Sequence, residues 1–139
     1  NFLIPDNVYD AHQAMYGASK FGQDTSWDEM IDLYRQKMGE LHTDILIDRC
    51  QEALIDSDFL TFRHTNPKIP WALRKSIMQG HWRPVIRYLD LLATLHPKQR
   101  PFNALVCLKD VLSASKFHDQ RAIDAIRRVN VLLNSSIRD

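Results

Sequence analysis

Apolar side chains recur along most of the chain at the three- and four-residue spacing of a helix that buries one face. Near the N-terminus this spacing predicts a first helix between Pro5 and Gly22. Its apolar face holds Val8, Ala11, Met15 and Ala18. Gly22 is a natural stop, because glycine readily adopts the left-handed conformation that follows many helix ends.

A second helix is predicted to begin at Ser26, because Ser26 and Glu29 stand in the S-x-x-E pattern of a capping box. Its apolar stripe continues through Met30, Tyr34, Met38, Leu41 and Ile45. Gly39 lowers the helix propensity within this stretch, so the pattern predicts a break between residues 39 and 43. A third helical stretch carries Ile45, Leu46, Cys50, Ala53 and Leu54.

A connector rich in turn-forming residues is predicted from Asp56 to Pro70, with Phe59, Leu60 and Phe62 held against the core. Pro70 fits the first position of a fourth helix that ends at Gly80, and His81 precedes a fifth. The fifth helix has the stripe Val85, Tyr88, Leu89, Leu92 and Leu95, and the sixth has Ala104, Leu105, Leu108, Val111 and Leu112. Asp119 is the predicted N-cap of a seventh helix with Ala122, Ile123, Ile126, Val129 and Leu133 on its face.

Alternating apolar and polar positions, which indicate strands, do not extend over any useful length of this sequence. The sequence therefore predicts an all-α fold, a compact bundle of six or seven antiparallel helices. Its 139 residues suit one domain, residues 1–139, with a single core. Nothing in the sequence approaches the roughly 20 consecutive apolar residues of a membrane span.

The net charge of +1 conceals an uneven distribution along the chain. Residues 1–69 hold six basic and twelve acidic residues, a net charge of −6, whereas residues 70–139 hold twelve basic and five acidic residues, a net charge of +7. Three interpretations remain open. In the first, the acidic and basic helical halves neutralise each other. In the second, the basic half binds an acidic partner or nucleic acid. In the third, copies of the chain associate head to tail.

Signatures of catalysis and of metal binding are missing from the sequence. The six histidines have no H-E-x-x-H spacing, no serine lies in G-x-S-x-G, and four glycines do not form a phosphate-binding loop. The sequence therefore predicts no enzyme, no metal and no cofactor. Cys50 and Cys107 lie in separate apolar patterns, which favours free thiols and an intracellular, reducing compartment.

Two aromatic residues of the basic half, Trp82 and Phe117, are the candidate binding anchors. Each lies at a predicted helix junction beside a histidine and basic residues, the pattern of an interface anchor. Trp82 is flanked by His81 and Arg83, Arg87 follows Arg83 by one helical turn, and Arg121 opens the last helix. The alternatives are that both rings plug the core and that the arginines form an ordinary solvated surface or pair with the acidic half.

From Trp71 onward the order of features resembles the TFIIS N-terminal domain family, which includes integrase-binding domains. The resembling residues are Leu73–Ile77, Val85–Leu95, Leu105, Leu108–Val111, Phe117 and Ile123. The resemblance implies a right-handed helical bundle that docks short peptides of transcription and chromatin proteins, and with it a nuclear location. It also implies that the loops at 80–82 and 115–119 bind the partner, with an aromatic where Phe117 falls.

A rival resemblance is to an ankyrin-type helix pair, carried by Trp71-Ala72-Leu73, Gly80-His81, Val85 and Leu89. Both resemblances imply a helical surface for protein partners. We therefore expect a non-catalytic protein-interaction module, whose basic C-terminal helices dock a peptide or a surface. The alternative is a nucleic-acid-binding domain, viral or chromatin-associated, that uses the same basic half, and self-association is a third reading.

Overall fold

The computed structural model describes Gly17 and residues 24–62, 69–116 and 119–135. Within these residues the chain forms six α-helices, one short 3-10 helix at Pro97–Gln99, and no strand. The helices are α1 (Asp24–Met38), α2 (Glu40–Phe62), α3 (Trp71–Gln79), α4 (Trp82–Ala93), α5 (Phe102–Ala114) and α6 (Gln120–Ser135). The predicted all-α bundle of six or seven helices is confirmed, while the helix predicted between Pro5 and Gly22 lies outside the described residues except for Gly17.

Consecutive helices form three hairpins that stack side by side: α1 with α2, α3 with α4, and α5 with α6. In one layer α2 packs on α4 and α4 packs on α6, and in the other layer α3 packs on α5. The α4–α6 contact is parallel, because Trp82 meets Arg121 and, further along both helices, Asp90 meets Arg128. The second and third hairpins therefore run in the same direction along the stack.

Two glycines make the turns of the first two hairpins. Gly39 has a φ of +88°, separates α1 from α2 and confirms the predicted break. Gly80 has a φ of +75°, and its N–H donates to the carbonyl oxygen of Ile77 while the next N–H, that of His81, donates to the carbonyl oxygen of Ser76. Both positions need the left-handed backbone that glycine adopts without steric cost.

Three predicted boundaries were wrong. The capping box at Ser26 does not start a helix, because α1 already includes Asp24. The turn predicted from Asp56 does not form, because α2 continues to Phe62 and buries Ile55 and Phe59 on the core face; tertiary packing here overrides the local turn preference of aspartate and serine. The fourth helix begins one residue later than predicted, with Pro70 as its N-cap.

The core is one continuous cluster to which all six helices contribute. The α4 stripe predicted from the sequence is buried in full, and Asp119 caps α6 by accepting from the backbone N–H groups of Arg121 and Ala122. On α6, Ala125 and Leu132 are buried, whereas the predicted Ile123 and Ile126 are only partly buried. The helix is therefore rotated slightly from the predicted face.

One polar contact crosses this core between α2 and α3. The Ser76 hydroxyl lies 2.5 Å from Oε1 of Gln51 and 2.7 Å from the carbonyl oxygen of Ala72. One hydroxyl proton therefore has two acceptors, while the buried Nε2 of Gln51 has no hydrogen-bond partner among the described residues. This contact orders α3 on α2. The unpaired amide N–H groups of Gln51 lower the stability of the fold, because unsatisfied buried polar groups oppose folding.

Candidate protein-binding groove

The structure does not place Trp82 on the surface. Its side chain is 5% exposed and belongs to the core, at the junction of α4 and α6. The guanidinium carbon of Arg121 lies 5.9 Å from the centre of the indole ring and covers it. The expectation of an exposed Trp82 anchor was therefore wrong, because the start of α6 packs over this ring. Phe117 lies outside the described residues, so its role as an anchor stays a prediction.

The basic residues of the predicted site face carboxylates of the same chain. Nδ1 of His81 lies 2.9 Å from Asp48, Nε of Arg83 lies 2.8 Å from Glu52, and Nε of Arg87 lies 2.8 Å from Asp56. On α2 these three acidic residues are spaced by four, so they stand on one face that α4 covers. The residue numbers rise together along both helices, which shows that α2 and α4 run parallel. We call this series of contacts the α2–α4 ladder.

The ladder explains the uneven charge of the sequence. It joins the acidic residues 1–69 to the basic residues 70–139, and an ion pair of 2.9 Å between Asp28 and Lys75 adds a further link. Of the three interpretations of the charge, internal neutralisation is confirmed for these pairs. Asp56 also raises the pKa of Arg87 above its ordinary value, chiefly through their side-chain hydrogen bond.

The remaining predicted arginine is also paired. The Arg121 side chain donates to Asp119 over 2.7 Å, and this hydrogen bond is the main reason that the pKa of Asp119 lies below its ordinary value. Arg121 therefore holds the start of α6 as well as covering Trp82. The expectation that His81, Arg83, Arg87 and Arg121 stand ready to steer a partner does not fit these contacts, because each already meets a carboxylate.

A surface groove lies elsewhere in the 70–139 half, between α3 and α5. It has a volume of about 610 Å³. We call it the α3–α5 groove; its lining includes Arg74, Met78, Cys107, Asp110, Val111 and Ala114. Because Arg74 contacts Cys107 and Ser115 donates to the carbonyl oxygen of Ile77, α3 and α5 run parallel along its two walls.

The walls of the groove combine apolar side chains with charged ones. Met78 is 59% exposed, a large apolar residue turned to solvent, whereas Val111 and Cys107 are partly buried against the core. The Arg74 guanidinium contacts the Cys107 sulfur at 3.7 Å and has no carboxylate partner among the described residues. Asp110 likewise has no basic partner within the described part of the chain. These two charges are available to a molecule that enters the groove.

A second cleft, of about 510 Å³, adjoins the α3–α5 groove between α1 and α3. It is more polar, and its lining includes Asp28, Asp32, Arg35 and His81. All four of these side chains have partners of opposite type, since Asp28 meets Lys75, Asp32 meets Arg35 and His81 meets Asp48. Met78 lines both clefts, so the exposed methionine marks the place where they join.

The sequence analysis did not single out the groove residues. Val111 was predicted as part of a core stripe and Cys107 as a free thiol in an apolar pattern, and both residues are partly buried against the core. The available signal was Met78, an apolar residue one helical turn after Arg74 and off the buried face of Leu73 and Ile77. Such a signal identifies a partly apolar surface but does not reveal the wall that α5 supplies.

The described residues contain no group of histidine, cysteine, aspartate and glutamate side chains that could hold a metal ion. Within the same residues, no helix has both the length and the apolar character of a bilayer span. No family model, no curated protein and no solved structure matches the chain. The resemblances to TFIIS N-terminal domains and to ankyrin helix pairs stay predictions.

Proposed function

We propose that the protein is a non-catalytic protein-interaction module that binds a segment of a partner in the α3–α5 groove. The observation that carries the proposal is the pairing of an apolar groove with an arginine that meets no carboxylate among the described residues. Arg83, Arg87, Arg121 and Arg128 pair with acids of this chain. Arg74 and Arg100 have no carboxylate partner among the described residues, but Arg100 donates to Ser135, whereas Arg74 lines the groove.

The groove favours a partner with apolar side chains next to a carboxylate. Met78 and Val111 lose water contact when an apolar side chain enters, which stabilises the complex by about 25 cal/mol for each Å² of apolar surface removed from water. A carboxylate of the partner within reach of Arg74 accepts two parallel, charge-assisted hydrogen bonds from the guanidinium N–H groups. Arginine combined with an apolar pocket is typical of the residues that dominate binding energy at protein interfaces.

The alternative of nucleic-acid binding has less support. Phosphate recognition needs basic side chains that release counterions on binding. Arg83 and Arg87 face carboxylates across the α2–α4 ladder, and Arg128 lies 2.7 Å from Asp90. Their positive charge is largely compensated within the protein, which lowers the potential that they offer to a phosphate backbone.

Selection from an unbiased displayed peptide library tests the proposal. The immobilised protein should enrich peptides that share apolar residues and an Asp or Glu, and Met78→Glu should weaken the selected peptides by tenfold or more. Ile86→Glu is the matched control, because Ile86 is 48% exposed on α4, in the other layer of the stack.

Peptides that bind the wild type and the Ile86 variant equally, but do not bind the Met78 variant, support the α3–α5 groove as the binding site. Arg74→Gln should then weaken acidic peptides more than versions of the same peptides with Asn or Gln in place of the acid. Failure to enrich any peptide, or equal binding by the Met78 and Ile86 variants, overturns the proposed site.

A further inference from the structure

Helix α2 extends beyond the helix that covers it. It has 23 residues against 12 in α4, and the first contact of the α2–α4 ladder is at Asp48. The helical face that carries Asp48, Glu52 and Asp56 continues backwards through Ile45, three residues before Asp48, and Leu41, four residues before Ile45. These two residues therefore occupy the face that α4 covers further along, but they precede the start of α4.

The uncovered end of α2 is apolar and acidic. Leu41 is 72% exposed and Ile45 is 43% exposed, and Met38, the last residue of α1, is 40% exposed on the other side of the Gly39 turn. Asp44 precedes Ile45 on α2, lines the second cleft and has no basic partner within the described residues. We call these four residues, Met38, Leu41, Asp44 and Ile45, the α1–α2 tip.

The tip has the chemistry that the α3–α5 groove favours. It presents Leu41 and Ile45 one helical turn apart, as an amphipathic helix does when it enters a groove, and it places a carboxylate next to them. Asp44 lacks a basic partner, and Arg74 in the groove lacks an acidic one, among the described residues.

We propose that the α1–α2 tip of one copy docks into the α3–α5 groove of a second copy, so that chains associate head to tail. The inference rests on the proposed function, since it uses the same groove and identifies the partner as this chain itself. Leu41 and Ile45 lie outside the lining of the α3–α5 groove, so a head-to-tail pair leaves one free tip and one free groove. Association therefore continues beyond the dimer as the concentration rises.

Sedimentation velocity over a concentration series tests this inference. The wild type should shift from monomer to dimer and larger species as its concentration rises, and less so in 0.5 M than in 0.05 M NaCl, because salt screens exposed charges. Leu41→Arg removes the tip and Met78→Arg removes the groove, and both sites are exposed, so the fold is retained. Each variant alone should stay monomeric, whereas Ile86→Arg should behave like the wild type.

An equimolar mixture of the two variants distinguishes head-to-tail docking from other forms of association. The Leu41 variant keeps its groove and the Met78 variant keeps its tip, so the mixture should form a 1:1 heterodimer and nothing larger. A wild type that stays monomeric at every concentration overturns the inference, as does a mixture that stays monomeric. In either case the proposed function stands if the protein still enriches library peptides that bind in the groove, because the occupant of the groove would then be a segment like those peptides.

Discussion

The carboxylate of Asp48 lies 2.9 Å from Nδ1 of His81, and this contact joins the middle of α2 to the residue that precedes α4. It is the first contact of the α2–α4 ladder, whose later members fall one and two helical turns further along α2. Sliding α4 by one turn along α2 would leave a charge unmatched at one end of the series. The ladder therefore specifies the register of the second hairpin on the first, a role for which charge matching is well suited.

The burial of Trp82 predicts a large loss of stability on truncation. Trp82→Ala should lower the free energy of unfolding by about 3–5 kcal/mol, the usual cost of removing a large aromatic from a core. Trp82→Phe should cost much less, since the indole Nε1 has no hydrogen-bond partner to lose in the described part of the chain. Urea denaturation of the two variants measures the difference. Wild-type stability in the alanine variant would show that the ring is a surface residue after all.

The φ of +88° at Gly39 predicts that a side chain at this position destabilises the first hairpin turn. Gly39→Ala should lower the free energy of unfolding by about 1–2 kcal/mol, the cost of a left-handed conformation for an L-residue. A new Cβ meets no atom within 4 Å, so this cost is conformational and not steric crowding. Gly39→Asn should lose less, because asparagine tolerates this conformation. Thermal unfolding of both variants, with Gln36→Ala as an exposed control, provides the comparison.

The contact between Gln51 and Ser76 predicts unequal effects of removing its two members. Ser76→Ala leaves the buried amide of Gln51 without its only donor and should cost about 1–3 kcal/mol. Gln51→Leu should be neutral or stabilising, because Ser76 keeps the Ala72 carbonyl oxygen as acceptor and an unsatisfied amide disappears. A double-mutant cycle in urea measures both effects, and a Gln51 variant less stable than the Ser76 variant would contradict this account.

The lowered pKa of Asp119 predicts a pH dependence of stability. The hydrogen bond from the Arg121 side chain, followed by the backbone N–H groups of the first turn of α6, favours the ionised carboxylate in the folded protein. This contribution to stability is fully present above the unfolded pKa of about 3.9 and is lost as the pH falls through the lower folded pKa. Asp119→Asn should therefore flatten the decline of the thermal midpoint between about pH 4 and pH 2. An unchanged slope would contradict the assignment.

The two cysteines should differ in reactivity. Burial raises the pKa of the Cys50 thiol to about 12, so almost none of it is thiolate at pH 8, whereas Cys107 is only partly buried and lines the groove. A chromogenic disulfide reagent should titrate one thiol in the folded protein and two in denaturant. Cys107→Ser should abolish the folded-state reaction and retain one thiol in denaturant. Rapid reaction of Cys50 in the folded Cys107 variant would contradict its burial.

Local patterns predicted much of the fold. The α4 stripe from Val85 to Leu95 is buried as expected, and Gly39 and Gly80 end helices because their left-handed backbones are local properties. The extension of α2 through Asp56 could not be predicted in the same way. Its cause is long-range, since Arg87 of α4 pairs with Asp56 and Tyr88 of α4 lies edge-on to Phe59.

The candidate site depended even more on long-range contacts. Trp82 next to Arg83 has the local pattern of an interface anchor, but the start of α6 covers the ring and Glu52 pairs with the arginine. The α3–α5 groove arises where two helices some 30 residues apart in sequence stand side by side. The sequence showed that residues 1–69 and residues 70–139 differ in net charge. Only the packing of the helices showed that acidic and basic residues of the two halves neutralise each other along the α2–α4 ladder.

The stacking of hairpins also bears on how the chain responds to mechanical load. The outer hairpins, α1–α2 and α5–α6, both rest on α3–α4, so the main contacts run between neighbours along the stack. Force applied to residues 24 and 135 would unfold the two outer hairpins first, and the α3–α4 hairpin would unfold last. An optical-tweezers trace should then show several small rips in place of one, with the final rip belonging to the shortest hairpin.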